Sequence, residues 1–139
     1  MADRQVLMQQ LQYHNSFYLY EESCILNSIH RLKDNFPGAQ FLYSMKCNPA
    51  GRVLDTVFSQ GIGADAASLG EVDAAWKRGV APDLIYFSAP ARTEADLRAA
   101  WGRCVIIADS LHELEMLRRI AAEKAETPAI GVRINPDFT

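Results

Sequence analysis

The feature that most constrains this chain is a rhythm. Short segments with period-two alternation begin roughly every 20–25 residues from position 41, and each is followed by a segment with helical periodicity. The strand-like segments are 41–46, 61–66, 84–88, 105–108 and 130–134, and helical patterns fill 49–60, 69–78, 94–101 and 111–124. Ser68 with Glu71, Thr93 with Asp96 and Ser110 with Glu113 each match a capping box or its Asp variant, so three helix starts stand in phase with the strands. A strand, one helix and another strand at this spacing is a βα unit of a parallel sheet.

A tandem βα series forms either an open doubly wound sheet or a (β/α)8 barrel, and the strand faces distinguish them. Central strands of an open sheet are covered on both sides and should be apolar on both. Here one face of each strand is apolar (Phe41, Tyr43, Met45; Ile62, Ala64, Ala66; Ile130, Val132, Ile134). The other is small and ends in a charge: Ser44 then Lys46, Gly61 and Gly63 then Asp65, Gly131 then Arg133. That is the pattern of a barrel interior with a polar C-terminal mouth. The expected fold class is α/β, a partial (β/α)8 TIM-type barrel of about five parallel strands. A whole barrel takes about 250 residues, so the 139 present would make an incomplete one.

Upstream, residues 5–12 suit a short helix, Phe17-Tyr18-Leu19-Tyr20 a brief strand, and Ile25, Leu26, Ile29 and Leu32 a helix stopped by Pro37-Gly38. Fourteen basic and 17 acidic residues, well mixed and summing to −3, give no basic stripe for nucleic acid. No apolar run approaches a membrane span and the polar start lacks a signal-peptide core, so a cytoplasmic location is the default expectation. Cys24, Cys47 and Cys104 form no CxxC pair, which argues against a disulfide framework or zinc site and suggests buried or half-buried thiols. His14, His30 and His112 have no ligand spacing, and solvated positions are expected for all three.

Lys46, with Asn48 as helix N-cap and Pro49 at the first helical position, falls at a strand-to-helix corner. Two readings of it compete. It is either a surface lysine snorkelling to solvent, or a reactive amine that forms a Schiff base or acts as a base. Parity places Asp65 and Arg133 in the same interior, where unpaired charge is costly, although each equally suits a structural ion pair. Glu71 has a ready role as the third residue of the Ser68 capping box.

The segment Tyr43-Ser44-Met45-Lys46-Cys47-Asn48-Pro49 resembles the Y-[AS]-[VM]-K-[AC]-N-[PS] motif of the alanine-racemase-fold, pyridoxal-phosphate-dependent amino-acid decarboxylases. Residues 63–71 resemble that family's G-x-D-x-x-S-x-x-E block and residues 84–93 its I-x-[FY]-x-x-P-x-K-[ST] block, with Arg92 in place of the usual lysine. Asp109-Ser110-x-x-Glu113-Leu114 and Val132-Arg133-Ile134-Asn135-Pro136 continue the likeness in order. The resemblance implies that Lys46 bonds pyridoxal 5'-phosphate as a Schiff base, that Asp65 and Glu71 surround it, and that Arg133 lines the cofactor. It further implies an approach segment over 1–22, the N-terminal part of the cofactor-binding barrel over 23–139, a diamino or basic amino-acid substrate, and a homodimer in the full-length enzyme. The family's ring-stacking histidine, glycine-rich phosphate loop, acidic partner of the pyridine nitrogen and C-terminal β-domain have no counterpart in these residues, so weak cofactor binding by this chain alone is expected. A truncated, non-catalytic paralogue that binds a full-length partner, or a racemase of the same fold, are the alternatives.

Overall fold

All five expected strands form in the computed structural model, which describes residues 4–137. They are β1 (Leu42–Ser44), β2 (Gly63–Ala66), β3 (Ile85–Phe87), β4 (Val105–Ala108) and β5 (Ile130–Val132). Every neighbouring pair is parallel and the order across the sheet is the order in the chain, β1-β2-β3-β4-β5. A doubly wound sheet would reverse direction at a switch point. Here the winding never reverses, which is the topology of a partial barrel. The connections are the helices α3 (Gly51–Ser59), α4 (Leu69–Trp76), α5 (Glu94–Ala100) and α6 (Leu111–Lys124).

The helix side of the sheet holds the core. Ala64, Ala66, Ile85, Phe87, Ile106 and Ala108 are at most 1% exposed and pack with Val72 and Ala75 of α4, Leu97 and Ala100 of α5, and Leu117 and Ile120 of α6. The three caps form as the sequence predicts: Ser68, Thr93 and Ser110 each accept the backbone N–H of the third helical residue. Only Thr93 and Asp96 close the box at the cap itself, whereas Glu71 and Glu113 reach one residue further back to the amides of Ala67 and Asp109. Ile130 and Val132 of β5 and Ile134 just beyond it are 43%, 56% and 79% exposed, uncovered by α3, α4, α5 or α6.

Gly63 shows how tightly the first strands approach. A methyl group there would lie 2.5 Å from the Leu84 carbonyl oxygen and 2.6 Å from Leu42 Cδ2, and the carbonyl is backbone that cannot step aside. Gly63→Ala should therefore destabilise the chain by about 1–3 kcal/mol, read as a lower urea midpoint with unchanged slope.

The chain divides into two compact units that part between Ala39 and Gln40. The first contains α1 (Arg4–Gln10) and α2 (Glu22–Asn35). The brief strand expected over residues 17–20 does not form; Tyr18 and Tyr20 instead stack their rings with centroids 6.4 Å apart. Aromatic residues favour strands only where a neighbouring strand takes up the backbone amides, and this segment pairs with none.

Candidate active site

Lys46 does not extend β1. The strand ends at Ser44, and Met45–Cys47 wind into a single 3-10 turn that sinks Met45 completely into the core and leaves Lys46 exposed. The strand expected over 41–46 thus stops two residues early: Met45 is buried, as its place on the apolar face predicts, but it and Lys46 belong to a turn and not to the strand. The expected cap also shifts. Ahead of Pro49 the backbone of Asn48 is extended (φ −162°, ψ 101°), its side-chain oxygen accepts the Ala50 N–H at 3.0 Å, and α3 begins only after Ala50. Tyr43 ties the corner down by donating its hydroxyl proton to the Asn48 carbonyl at 3.1 Å. Lys46 makes no ion pair among the described residues and stands at the C-terminal end of the sheet, where a barrel opens.

Next to it in the winding, Asp65 lies on β2 directly opposite Ser44, whose hydroxyl donates to its Oδ2 at 3.0 Å. Glu71 sits in the first turn of α4, its carboxylate accepting the Ala67 N–H at 2.7 Å and so bracing the loop that leaves β2. Arg133 follows β5, continues the ladder by donating its amide to Ala108, and is exposed, with Nε 3.4 Å from Asn135 Oδ1. Of the four residues singled out in the sequence, none bonds directly to another among the described contacts; Asp65 is joined to Ser44, and Lys46 and Arg133 mark opposite edges of the strand-end rim.

Sequence reasoning missed the strongest electrostatic feature of this rim. Arg92 and Glu113 form a buried, two-pronged ion pair, Nε to Oε1 at 3.0 Å and Nη2 to Oε2 at 2.6 Å, with side chains 3% and 4% exposed. Arg92 also donates to the Phe87 carbonyl at 2.7 Å and to the Ile107 carbonyl, and stacks over the Phe87 ring at 4.8 Å. One guanidinium thereby joins the ends of β3 and β4 to the start of α6. Ala91 precedes it in the left-handed conformation (φ 55°), a cost that the fixed Arg92 side chain offsets. Twenty-one residues separate the pair, and its only trace in the sequence was that Glu113 occupies a cap position and that Arg92 stands where lysine was expected.

The cysteines differ from expectation. Cys104 is buried, and burial pushes its thiol up to about 11, but Cys24 and Cys47 are exposed. Alkylation at pH 8 should accordingly modify Cys24 and Cys47 quickly and Cys104 only on unfolding, which peptide mass mapping would resolve. The three histidines are exposed as expected, and no group of acidic, histidine or cysteine side chains able to hold a metal occurs among the described residues.

Residues 22–139 match the family described as pyridoxal-dependent decarboxylase, pyridoxal binding domain. The chain belongs to this family. Its cofactor is pyridoxal phosphate, as the motif around Lys46 implied. Among curated members, the decarboxylase family includes a diaminopimelate decarboxylase of Zymomonas mobilis that is 31% identical over 133 residues, 91% of this chain and 32% of that protein. It also includes an L-glutamyl-[BtrI acyl-carrier protein] decarboxylase of Niallia circulans, 32% identical over 124 residues, 87% of this chain and 29% of that protein. The crystal structure of diaminopimelate decarboxylase from Helicobacter pylori complexed with L-lysine superimposes with a TM-score of 0.81 at 28% identity, covering 95% of this chain and 35% of that one. The chain thus spans about a third of the length of the decarboxylases it matches.

Proposed function

We propose that this chain is the part of a pyridoxal-phosphate-dependent carboxy-lyase that carries the cofactor-bonding lysine, Lys46, and that the enzyme acts on a diamino or basic amino acid in the manner of diaminopimelate decarboxylase. The observation that carries the proposal is an exposed lysine without an ion pair among the described residues, at the strand-end rim of a partial barrel where Ser44 of β1 bonds Asp65 of β2. The donor set suits the cofactor. Lys46 offers a primary amine for its aldehyde, and Asp65 keeps Oδ1 free while Ser44 orients Oδ2. Arg133 spends only Nε on Asn135, so its remaining donors are available to an anionic group. Glu71 braces the backbone two residues after Asp65 by accepting the Ala67 N–H.

Pyridoxal phosphate held by these residues would supply an electron sink for loss of the substrate carboxylate as carbon dioxide. Lys46 would hold the cofactor aldehyde through its amine and, when that amine is free, hold a proton for the substrate α-carbon. Residues 1–22 serve as an approach segment and 23–139 as the N-terminal part of the cofactor-binding barrel, within a homodimeric, cytoplasmic enzyme that needs no nucleic acid or membrane. No helix among the described residues is long and apolar enough to cross a membrane.

The test is borohydride reduction in the presence of pyridoxal phosphate, followed by peptide mapping and carbon dioxide release from diaminopimelate, lysine, ornithine and arginine by the full-length protein. A single label on Lys46 with release from one of these is the expected result. Labels scattered over surface lysines, or release from none of the four, would sink the proposal.

A further inference from the structure

The inner face of the sheet carries one polar side chain that the family motifs do not account for. Cα pairing across the strands runs Ser44 to Asp65, Asp65 to Tyr86 and Tyr86 to Val105, so these four residues form one row on the side facing away from the helices. The flanking residues Ile85 and Phe87 are buried in the helix-side core, which fixes Tyr86 on the opposite, partly exposed face. Its hydroxyl has no hydrogen-bond partner among the described residues, unlike that of Tyr43, which is tied to Asn48. Phenylalanine would fill the same space without leaving a polar group that must find a partner once this face is covered.

We infer that Tyr86 is a further cofactor-binding residue, completing a Ser44–Asp65–Tyr86 row and donating its phenolic O–H to an acceptor oxygen of bound pyridoxal phosphate. The inference rests on the proposed role of Lys46. Asp65, one oxygen of which is already held by Ser44, is the immediate neighbour of Tyr86, so a ligand lying over Asp65 lies within reach of the longer phenol. Ser44 and Asp65 supply one hydroxyl donor and one acceptor that satisfy each other. Tyr86 is then the donor in this row left for the ligand.

The test uses the full-length protein and Tyr86→Phe, which removes the hydroxyl and keeps the ring. Four quantities are measured: the borohydride label, the cofactor Kd by absorbance titration, the pH titration of the bound cofactor's visible band, and the melting temperature without cofactor. The expected result is a label still confined to Lys46, cofactor binding weakened about three- to tenfold, a displaced band titration and an unchanged cofactor-free melting temperature. Wild-type affinity and band titration in the variant would overturn the inference while leaving Lys46 in place, as would weakened binding accompanied by a lower cofactor-free melting temperature. If the wild-type protein is not labelled at Lys46, the proposed function fails and the role of Tyr86 fails with it.

Discussion

On the role proposed for Lys46, replacing it by alanine is expected to abolish borohydride-trapped cofactor and to lower decarboxylation by the full-length protein on the order of 10^4-fold or more, because a residue that bonds the reacting group cannot be bypassed by binding alone. The same substitution should leave the fold almost untouched. Lys46 is exposed and makes no ion pair among the described residues, so the stability change should stay within about 0.5 kcal/mol. This contrast separates chemistry from folding: an inactive Lys46→Ala protein with a wild-type urea midpoint supports a reactive lysine. A variant that keeps trapped cofactor on another lysine, or keeps more than a few per cent of activity, rules that role out. Met45→Ala, one residue away, should show the reverse, since Met45 is fully buried in the core and its truncation costs about 2–5 kcal/mol.

The second large effect belongs to the Arg92–Glu113 pair. Glu113→Ala strands a guanidinium that is 7% exposed as a residue and still bonded to two carbonyls, and should destabilise the chain by about 3–5 kcal/mol. Against a total stability of about 5–15 kcal/mol this is a large fraction, so partial unfolding at 37 °C is the expected phenotype. The double variant Arg92→Met with Glu113→Leu should recover most of the loss, because a well-packed apolar pair avoids the desolvation that the ion pair must overcome. If the double variant is as unstable as Glu113→Ala, the carbonyl contacts of Arg92, and not its charge pairing, carry the stability.

The pair also sets a pH dependence. Burial raises the Glu113 carboxyl, but the hydrogen bonds from Arg92 and the Asp109 amide and the guanidinium charge outweigh it and hold the group below its ordinary value of 4.5. A carboxyl held low in the folded state stabilises it fully above the unfolded value, and the contribution is lost as pH falls through the lower folded value. Urea midpoints measured from pH 7 downward should therefore fall below about pH 4.5 more steeply for the wild type than for the double variant.

The strand rhythm, the three caps and the alternating faces of β2 were legible because they are local, set by side-chain period and by residues three apart. The corner after β1 was not. Period-two alternation rightly buries Met45 but runs on to Lys46, and nothing local to residues 41–46 marks Ser44 as the last strand residue; the backbone turns there against a core assembled from residues far along the chain. The Arg92–Glu113 pair was illegible for a related reason: its partners meet only because β3 and β4 are neighbours. Asp65 was found as a candidate, yet its bond to Ser44 follows from strand register, which no single strand reveals.

Strand order that never departs from chain order has a bearing on how the molecule is made. Each new strand joins the edge laid down immediately before it, as when Asp65 meets Ser44 across 21 residues, so the loop closed at every step is short and its entropic cost nearly constant. A chain emerging from the ribosome can thus add one strand and one helix at a time onto an already formed template, and the growing edge is always the youngest strand.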